Sequence, residues 1–205
     1  METIKSPTAE YGVAKFVLPG ERESGDQHLV CCHQSGILVA AIDGIGHGAE
    51  AANAARAAIA VLKNGVGEPI IPLVAACHEK LRSTRGVVLS LASIDAKHGL
   101  MTWLGVGNVP GVLVRADKKG NSQETLLLRG GVVGDHLPQL QAAVLPVAPG
   151  DLLVFATDGI RTDFVRTLSA LENPQRVAER ILKAFCNQSD DALVLALRIS
   201  TGIQP

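Results

Sequence analysis

Short apolar runs recur along the chain and are separated by residues that favour turns. Runs that are rich in β-branched residues and bounded by Gly, Pro, Asn or Asp are typical of strands. This pattern predicts strands over residues 12–18, 29–33, 36–42, 87–94, 100–106, 112–116, 125–128, 152–156 and 192–199. The last of them is continuously apolar, so we expect it to be central in a sheet.

Three other segments have the composition and spacing of helices. The first is rich in alanine, which allows a close approach to a neighbour, and the second repeats apolar residues at every fourth position. The third follows an asparagine and a proline, which suit the N-cap and the first helical position. They cover residues 49–63, residues 69–82, and a stretch that starts at Asn173-Pro174 with an apolar stripe of Val177, Ile181, Leu182 and Phe185.

Two pairs of predicted strands are joined by short segments of turn-forming residues, and such pairs favour hairpins. They are residues 87–94 with 100–106, and residues 112–116 with 125–128. Helices placed between hairpins predict a mixed α/β (α+β) fold, an αββα sandwich of two antiparallel β-sheets flanked by helices. At 205 residues the chain is long enough for a well-developed core, so we expect a single domain over residues 1–205.

Composition and charge exclude several classes of function. Nineteen basic and twenty acidic residues leave a formal net charge of -1, with no long run of either sign, so we expect neither nucleic acid nor a membrane surface as a partner. No stretch resembles a secretion signal or a membrane span, so we expect a cytoplasmic protein. The four cysteines form no CxxC pair, which predicts buried thiols: Cys31, Cys32, Cys77 and Cys186.

Three aspartates lie where apolar runs end or begin. Asp43 and Asp158 each follow a predicted strand and precede a glycine, and Asp190 comes just before the last strand. Each one alone could belong to a plain turn or to a helix N-cap. Carboxylates at strand ends can also line one rim, where oxygen ligands bind hard divalent metal ions. If the three converge, the chain holds a metal centre for hydrolysis.

A glycine-rich turn follows the first of these aspartates. Between the predicted strand and the alanine-rich helix the chain reads Asp43-Gly44-Ile45-Gly46-His47-Gly48. Glycines let the backbone turn sharply, and they let carbonyls or amides approach an ion or a phosphate. Taken alone, this segment is equally well interpreted as a tight structural turn.

Several motifs occur in a fixed order: Ser24-Gly25-Asp26, the Asp43 to Gly48 turn, Gly105-Val106-Gly107-Asn108-Val109-Pro110, Pro149-Gly150-Asp151, Thr157-Asp158-Gly159-Ile160 and Asp190-Asp191. In this order and spacing the chain resembles the SpoIIE-like branch of the PPM metal-dependent serine/threonine phosphatases. The resemblance spans nearly the whole chain. Within that branch, the short form without a sensor or membrane module is most similar to the RsbX-type feedback phosphatase of stressosome signalling.

The resemblance implies two Mn²⁺ or Mg²⁺ ions, with ligands at Asp43, Gly44, Asp158, Asp190, Asp26 and Asp191. Asp43 would bridge the ions, and the carbonyl of Gly44 would serve one of them. Asp158 and Asp190 would hold the other ion. Asp26 matches an aspartate that lies in or near the metal shell in this family. Asp191 is the second choice after Asp190, because an error of one residue in register would exchange the two.

Two bound ions imply a mechanism and a substrate. A water that bridges them is readily deprotonated and attacks phosphorus in line, so no protein nucleophile is required. The chain is thus expected to act on phosphoserine and phosphothreonine, by resemblance on phosphorylated STAS-domain proteins of a stressosome-like assembly, and a monomer is favoured. His47 could donate a proton to the leaving alkoxide, or it could only pack or cap a helix start. Asp163 could orient a metal-bound water, or it could simply lie in the first turn of a helix.

Some features depart from the family pattern or fit a plainer role. Many eukaryotic-type members carry a phosphate-gripping arginine near the first strand, and Arg22 is close to that place but not in a matching context. We expect their longer flap to be absent between residues 128 and 146, so selectivity would come from docking a folded partner. Asn108 suits a turn between strands and is expected to be structural. Trp103 should lie in the core or on a half-buried sheet face.

Two other functions compete with the phosphatase hypothesis. A GHKL-type ATPase carries an Asp-x-Gly-x-Gly signature, but Ile45 stands at the first glycine position after Asp43, and strands rather than an Asn-bearing helix precede it. The other competitor is an inactive phosphatase fold that only docks on a stress-signalling complex. The presence of all the expected carboxylates argues against this second alternative without excluding it.

Overall fold

The computed structural model describes residues 10–116 and 122–200. Along them the elements are β1 Glu10–Phe16, β2 Asp26–His33, β3 Gly36–Gly44, α1 Gly48–Asn64, α2 Ile70–Leu81, β4 Val87–Asp95, β5 Leu100–Val106, β6 Gly111–Val114, β7 Gln123–Thr125, β8 Leu128–Arg129, β9 Ala143–Pro146, β10 Leu152–Ala156, a 3-10 helix Thr162–Thr167, α3 Pro174–Phe185 and β11 Ala192–Arg198.

The strands form two sheets. One has the order β1-β11-β10-β6-β7, and we call it the β11 sheet. The other has the order β2-β3-β4-β5-β8, with β9 also paired to β5, and we call it the β3 sheet. All strand pairs are antiparallel except β5 with β8, which is parallel. Strand β11 lies between β1 and β10, so the prediction that the last strand is central is confirmed.

Three apolar layers hold the sheets and helices together. Between the sheets lies a core that includes Trp103 and Phe155, whose ring centroids are 5.3 Å apart. Helices α1 and α2 cover the outer face of the β3 sheet, and α3 covers the outer face of the β11 sheet. This arrangement confirms the predicted αββα sandwich. Trp103 lies in the central core, as expected.

The pleat of β3 decides which way its last carboxylate faces. Leu38, Ala40 and Ile42 pack in the layer under α1 and α2, whereas Ile37, Val39 and Ala41 pack in the central core. Successive side chains on a strand alternate between faces. The side chain of Asp43 therefore lies on the face turned toward the β11 sheet, at the end of the central core.

Most predicted elements are present with bounds that differ by one to three residues. The hairpin of β4 and β5 is confirmed by its antiparallel register. The predicted N-cap of the last helix is also confirmed, because the side chain of Asn173 accepts the backbone N–H groups of Gln175 and Arg176, and Pro174 is the first helical residue. Strand β9 had no counterpart among the sequence predictions.

The second predicted hairpin is only partly correct. Strand β6 pairs with β7 at residues 123–125, whereas Leu128 was assigned to the same strand and instead belongs to β8, in the other sheet. Between them Leu127 is exposed. The apolar run thus crosses from one sheet to the other, and periodicity alone does not reveal such a crossing. The predicted turn at residues 117–121 lies outside the described residues.

The cysteines differ from the expectation of buried thiols. All four are free, but Cys77 alone is buried, Cys31 and Cys186 are half-buried and Cys32 is exposed. Cys32 lies on β2, at the edge of the β3 sheet, where one face of the strand meets solvent. Within the described residues, no helix is long and apolar enough to cross a membrane.

Candidate metal centre

Two of the predicted metal ligands face each other across a strand pair. Asp26 begins β2, Asp43 lies near the end of β3, and the antiparallel register sets them directly opposite. Residues opposite each other in a sheet project from the same face. Burial raises the pKa of Asp43 to about 9, and the charges of Asp26, Asp158, Asp190 and Asp191 raise it as well. The strand-end aspartates therefore lie within electrostatic reach of one another.

Asp26 is buried and held by polar contacts that sequence inspection did not find. The hydroxyl of Thr157 donates to its Oδ2 at 2.6 Å, and the backbone N–H of Leu193 donates to the same hydroxyl oxygen at 2.8 Å. Lys15 Nζ donates to the carbonyl of Asp26 at 3.1 Å. Burial raises the pKa of Asp26 to about 7, an effect that the Thr157 hydrogen bond opposes and neighbouring carboxylates increase. Thr157 thus links the end of β10 and the start of β11 to the start of β2.

Asp158 lies in the turn that ends β10. The N–H of Ile160 donates to the carbonyl of Thr157 at 3.0 Å, which closes the turn. Gly159 is required there, because a Cβ would lie 2.0 Å from the carbonyl oxygen of Asp191. Although Asp158 is exposed overall, partial burial of its carboxyl raises the pKa, the hydrogen bond from Asn108 lowers it, and the charge of Asp190 raises it again.

Asn108, which the sequence predicts to be structural, also contacts a proposed metal ligand. Its Nδ2 donates to Asp158 Oδ2 at 2.9 Å. An amide that donates to a carboxylate limits its rotation and leaves the other oxygen free to bind a ligand. The signal in the sequence was present, because Asn108 lies in one of the motifs, but turn propensity explained it equally well.

Asp190 and Asp191 have different environments, although they are neighbours. Asp191 is buried, and its two oxygens accept the backbone N–H groups of Leu18 at 2.9 Å and Gly25 at 2.7 Å. Asp190 is half-buried, and its Oδ1 accepts the N–H of Asp191 at 2.8 Å. Both carboxylate oxygens of Asp191 thus bind the loop between β1 and β2. Asp190 is therefore the better placed of the two to bind an ion.

The glycine-rich turn packs closely against α1. A Cβ on Gly44 would lie 2.2 Å from the carbonyl oxygen of Ala51, so a larger residue would push the helix away from the strand end. The N–H of Gly44 donates to the carbonyl of Gly25 at 3.2 Å. Gly46 adopts φ of +87°, which glycine tolerates without strain. The turn is thus fixed between the helix and the Ser24-Gly25-Asp26 motif.

The remaining candidate side chains lie near the rim of this region or in its loops. His47 occupies the N-cap of α1 without capping it through its side chain, and its Nδ1 lies 2.6 Å from Glu21 Oε1. Asp163 lies in the first turn of the 3-10 helix, 3.6 Å from Arg161. Arg22 is exposed. Strand β3 precedes Asp43, so the helix that a GHKL-type ATPase requires before its motif is not present there.

The chemistry of the donor set fits a hard divalent cation. Its oxygen ligands are those that Mg²⁺ and Mn²⁺ prefer, and like-charged carboxylates that destabilise one another when ionised are stabilised by a cation between them. In residues 10–116 and 122–200, however, no three His, Cys, Asp or Glu side chains are already grouped so that they could hold an ion.

Comparisons with known proteins agree with this fold. The family model described as "Stage II sporulation protein E (SpoIIE)" matches residues 33–200. A comparison with curated proteins found no match. A structure described as the bacterial stressosome, a modular system adapted to control secondary messenger signaling, is similar with a TM-score of 0.84 and 29% identity, covering 94% of this chain and 100% of the other.

Two further solved structures contain metal ions. RsbX in complex with magnesium aligns with a TM-score of 0.82 and 19% identity, covering 97% of this chain and 100% of RsbX. The catalytic domain of the serine threonine protein phosphatase PstP, in complex with two manganese ions, aligns with a TM-score of 0.72 and 15% identity over 93% of this chain and 97% of that domain. At these identities the likeness concerns the fold. The family model covers most of the chain, so the chain belongs to the SpoIIE family.

Proposed function

We propose that this protein is a Mn²⁺- or Mg²⁺-dependent phosphatase of phosphoserine and phosphothreonine in proteins. The observation that carries the proposal is the register of β2 and β3, which sets Asp26 opposite Asp43 at the end of the central core. Asp158 and Asp190 lie within electrostatic reach of this pair. Membership of the SpoIIE family supports the same chemistry. The single-domain organisation over residues 1–205 remains a prediction.

The residues that would hold the ions are Asp43, Asp158 and Asp190 through their carboxylates and Gly44 through its carbonyl. When bound, the ions would lower the pKa of water and neutralise charge on the phosphoryl oxygens. The chain's own residues would orient the ligands: Thr157 holds the carboxylate of Asp26 through its hydroxyl, and Asn108 holds Asp158.

Asp191 has a supporting role in this proposal rather than that of a ligand. By accepting the N–H groups of Leu18 and Gly25, it fixes the loop that leads into β2 and so the position of Asp26. Carboxylate to backbone N–H hydrogen bonds are charge-assisted and stronger than neutral ones. Loss of Asp191 should therefore displace Asp26, whereas loss of Asp190 should remove a ligand and leave the loop in place.

We further propose that the substrates are phosphorylated STAS-domain proteins of a stressosome-like assembly. The supporting observations are the likeness to a structure described as the bacterial stressosome and the likeness to RsbX, each over the full length of the other chain. A monomer in the cytoplasm is the expected form. Dephosphorylation of a purified phospho-STAS protein, followed by intact-mass spectrometry, tests the substrate directly.

A second candidate function is an inactive phosphatase fold that docks on a stress-signalling complex. One observation favours it: among the described residues, no group of three side chains is ready to hold an ion. The two candidates differ in whether metal binds. A protein that only docks would bind no Mn²⁺ or Mg²⁺ and would hydrolyse no phosphate ester.

The deciding experiment is hydrolysis of p-nitrophenyl phosphate with Mn²⁺, Mg²⁺ or EDTA, combined with metal binding by calorimetry. The variant is Asp43→Asn, and the matched control is Asp95→Asn. Asp95 also lies near a strand end, but it pairs with Gly36 at the far end of β3 and serves the β4–β5 hairpin turn. Metal-dependent turnover that Asp43→Asn abolishes and Asp95→Asn preserves supports the phosphatase. Neither turnover nor metal binding in the wild type would favour the docking protein.

A further inference from the structure

A groove of about 400 Å³ lies beside the glycine-rich turn, on the side of α1. Its lining combines polar residues from the first turns of α1 with residues from the loop between α2 and β4: Glu50, Asn53, Ser83, Thr84 and Arg85. The groove is separate from the carboxylates, because Asp43 faces the β11 sheet, whereas the groove opens on the helical side of the same turn. Nothing described so far uses it.

Arg85 connects this groove to the turn. Its Nη1 would lie 2.7 Å from a Cβ on Gly46, so the guanidinium rests directly against the backbone of the turn, three residues after Asp43. The loop that carries Arg85 is itself fixed, because the N–H of Ile45 donates to the carbonyl of Gly86 at 3.1 Å. The guanidinium thus lies against Gly46, on a loop that is hydrogen-bonded to the same turn.

The present partner of Arg85 is a carboxylate that can be exchanged for another anion. Arg85 forms an ion pair with Glu50, in which the side chains are 51% and 68% exposed. Ion pairs with this exposure contribute little net free energy, because water and salt screen them. A guanidinium binds carboxylate and phosphate groups in the same forked geometry, so an anionic group of a ligand can replace Glu50 at small cost.

We propose that Arg85 and its groove bind the protein substrate beside its phosphorylated residue, with Arg85 taking an acidic side chain of the substrate in place of Glu50. This inference rests on the proposed phosphatase function. A phosphoserine held at the carboxylate rim would place its flanking residues beside Gly46, where the guanidinium of Arg85 lies, and so at the groove. The groove would then select substrates with acidic residues near the phosphosite.

The test compares two phosphoserine peptides that differ only in having glutamate or glutamine at the positions flanking the phosphoserine. Wild-type protein should show a kcat/KM for the glutamate peptide about two- to fivefold above that for the glutamine peptide, the upper part of the range of an exposed ion pair. Arg85→Ala should abolish this preference. Glu50→Gln should increase it, because the competing carboxylate is removed.

The matched control is Arg82→Ala. Arg82 lies three residues earlier at the end of α2, pairs with Glu79 at 3.4 Å, and has a side chain that is 64% exposed. Its removal changes the net charge by the same amount but does not touch the turn. Arg82→Ala should keep the wild-type preference, and all variants should keep the wild-type melting temperature and metal affinity.

Turnover of p-nitrophenyl phosphate tests whether Arg85 takes part in hydrolysis of the phosphate ester itself. This small ester has no flanking residues, so Arg85→Ala should leave its kcat and KM within about twofold of wild type. The proposal is overturned if Arg85→Ala keeps the glutamate preference, or if it impairs the small ester as strongly as the peptides, which would place Arg85 on the reacting phosphate instead.

Failure of the proposed function has a different signature. If the wild type hydrolyses no substrate with any metal, the phosphatase proposal fails, and the groove is then tested by peptide binding alone, measured by fluorescence anisotropy. Tighter binding of the glutamate peptide that Arg85→Ala abolishes and Arg82→Ala preserves would support the groove as an acidic-peptide site. Equal binding of both peptides would overturn it.

Discussion

Replacing Thr157 with valine tests whether one buried hydroxyl joins the two sheets at the proposed metal centre. The side chains have nearly the same shape, so the change removes two hydrogen bonds from a fully buried residue and little packing. A hydrogen bond to a carboxylate contributes about 1.5–3 kcal/mol, and a buried N–H left without a partner, here that of Leu193, costs about 1–3 kcal/mol. After partial relaxation we expect Thr157→Val to lower the free energy of unfolding by about 2–4 kcal/mol.

The assay is urea unfolding followed by the fluorescence of Trp103, the one tryptophan of the sequence, which is buried between the sheets. Thr157→Ser serves as the first control, because it keeps the hydroxyl and should lose only the roughly 1 kcal/mol of a buried methyl group. Thr162→Val is the second control, since Thr162 is exposed. A Thr157→Val protein no less stable than Thr157→Ser would refute the argument.

Other predictions follow from single contacts. Asn108→Ala should weaken metal binding by about tenfold, because Asp158 loses the hydrogen-bond donor that lowers the pKa of its carboxyl and limits the rotation of that group. An unchanged metal affinity by calorimetry would contradict this. Asp151→Ala should lower the free energy of unfolding in urea by about 3–5 kcal/mol. The buried Asp151 carboxylate accepts the N–H groups of Ala116 and Ala148 and pairs with Arg115 at 2.9 Å, and Glu124 on Arg115 replaces only the last of these contacts. A change below about 1 kcal/mol would count against this. Cys77 should not react with a disulfide reagent at pH 8 until the protein unfolds, because burial raises the pKa of its thiol to about 12. Rapid labelling of all four thiols in the folded protein would disprove this.

Much of the fold follows from the apolar pattern of the chain. The bounds of β5 were correct, and the capped start of α3 followed from an asparagine and a proline whose local chemistry suits no other position as well. The crossing at Leu127 did not follow, because a continuous apolar run does not state which sheet each residue joins. Sheet membership depends on partners far away in sequence, and a single sequence does not list them.

In the candidate site, too, some residues could be predicted from the sequence and others could not. Asp43 was identified because it follows a predicted strand and precedes a glycine, whereas Asp26 was identified only through the family resemblance. The register sets the two opposite each other. The sequence did not reveal that three other side chains contact this region, those of Thr157, Lys15 and Arg85. Hydroxyls and cations of this kind are frequent on any surface, so only the tertiary structure distinguishes those that reach the centre.

The pairing of β1 with β11 has a consequence for the order in which the protein folds. Arg198 reaches Glu10 across 188 residues, whereas β2, β3, β4 and β5 pair with their neighbours in sequence order. Contacts between distant parts of a chain form later than local ones, because closing a long loop costs more entropy. During synthesis the β3 sheet and its two helices can assemble first, while β1 must wait until β11 has left the ribosome. Because Asp190 lies two residues before β11, its carboxylate joins the Asp26–Asp43 pair only in the final step.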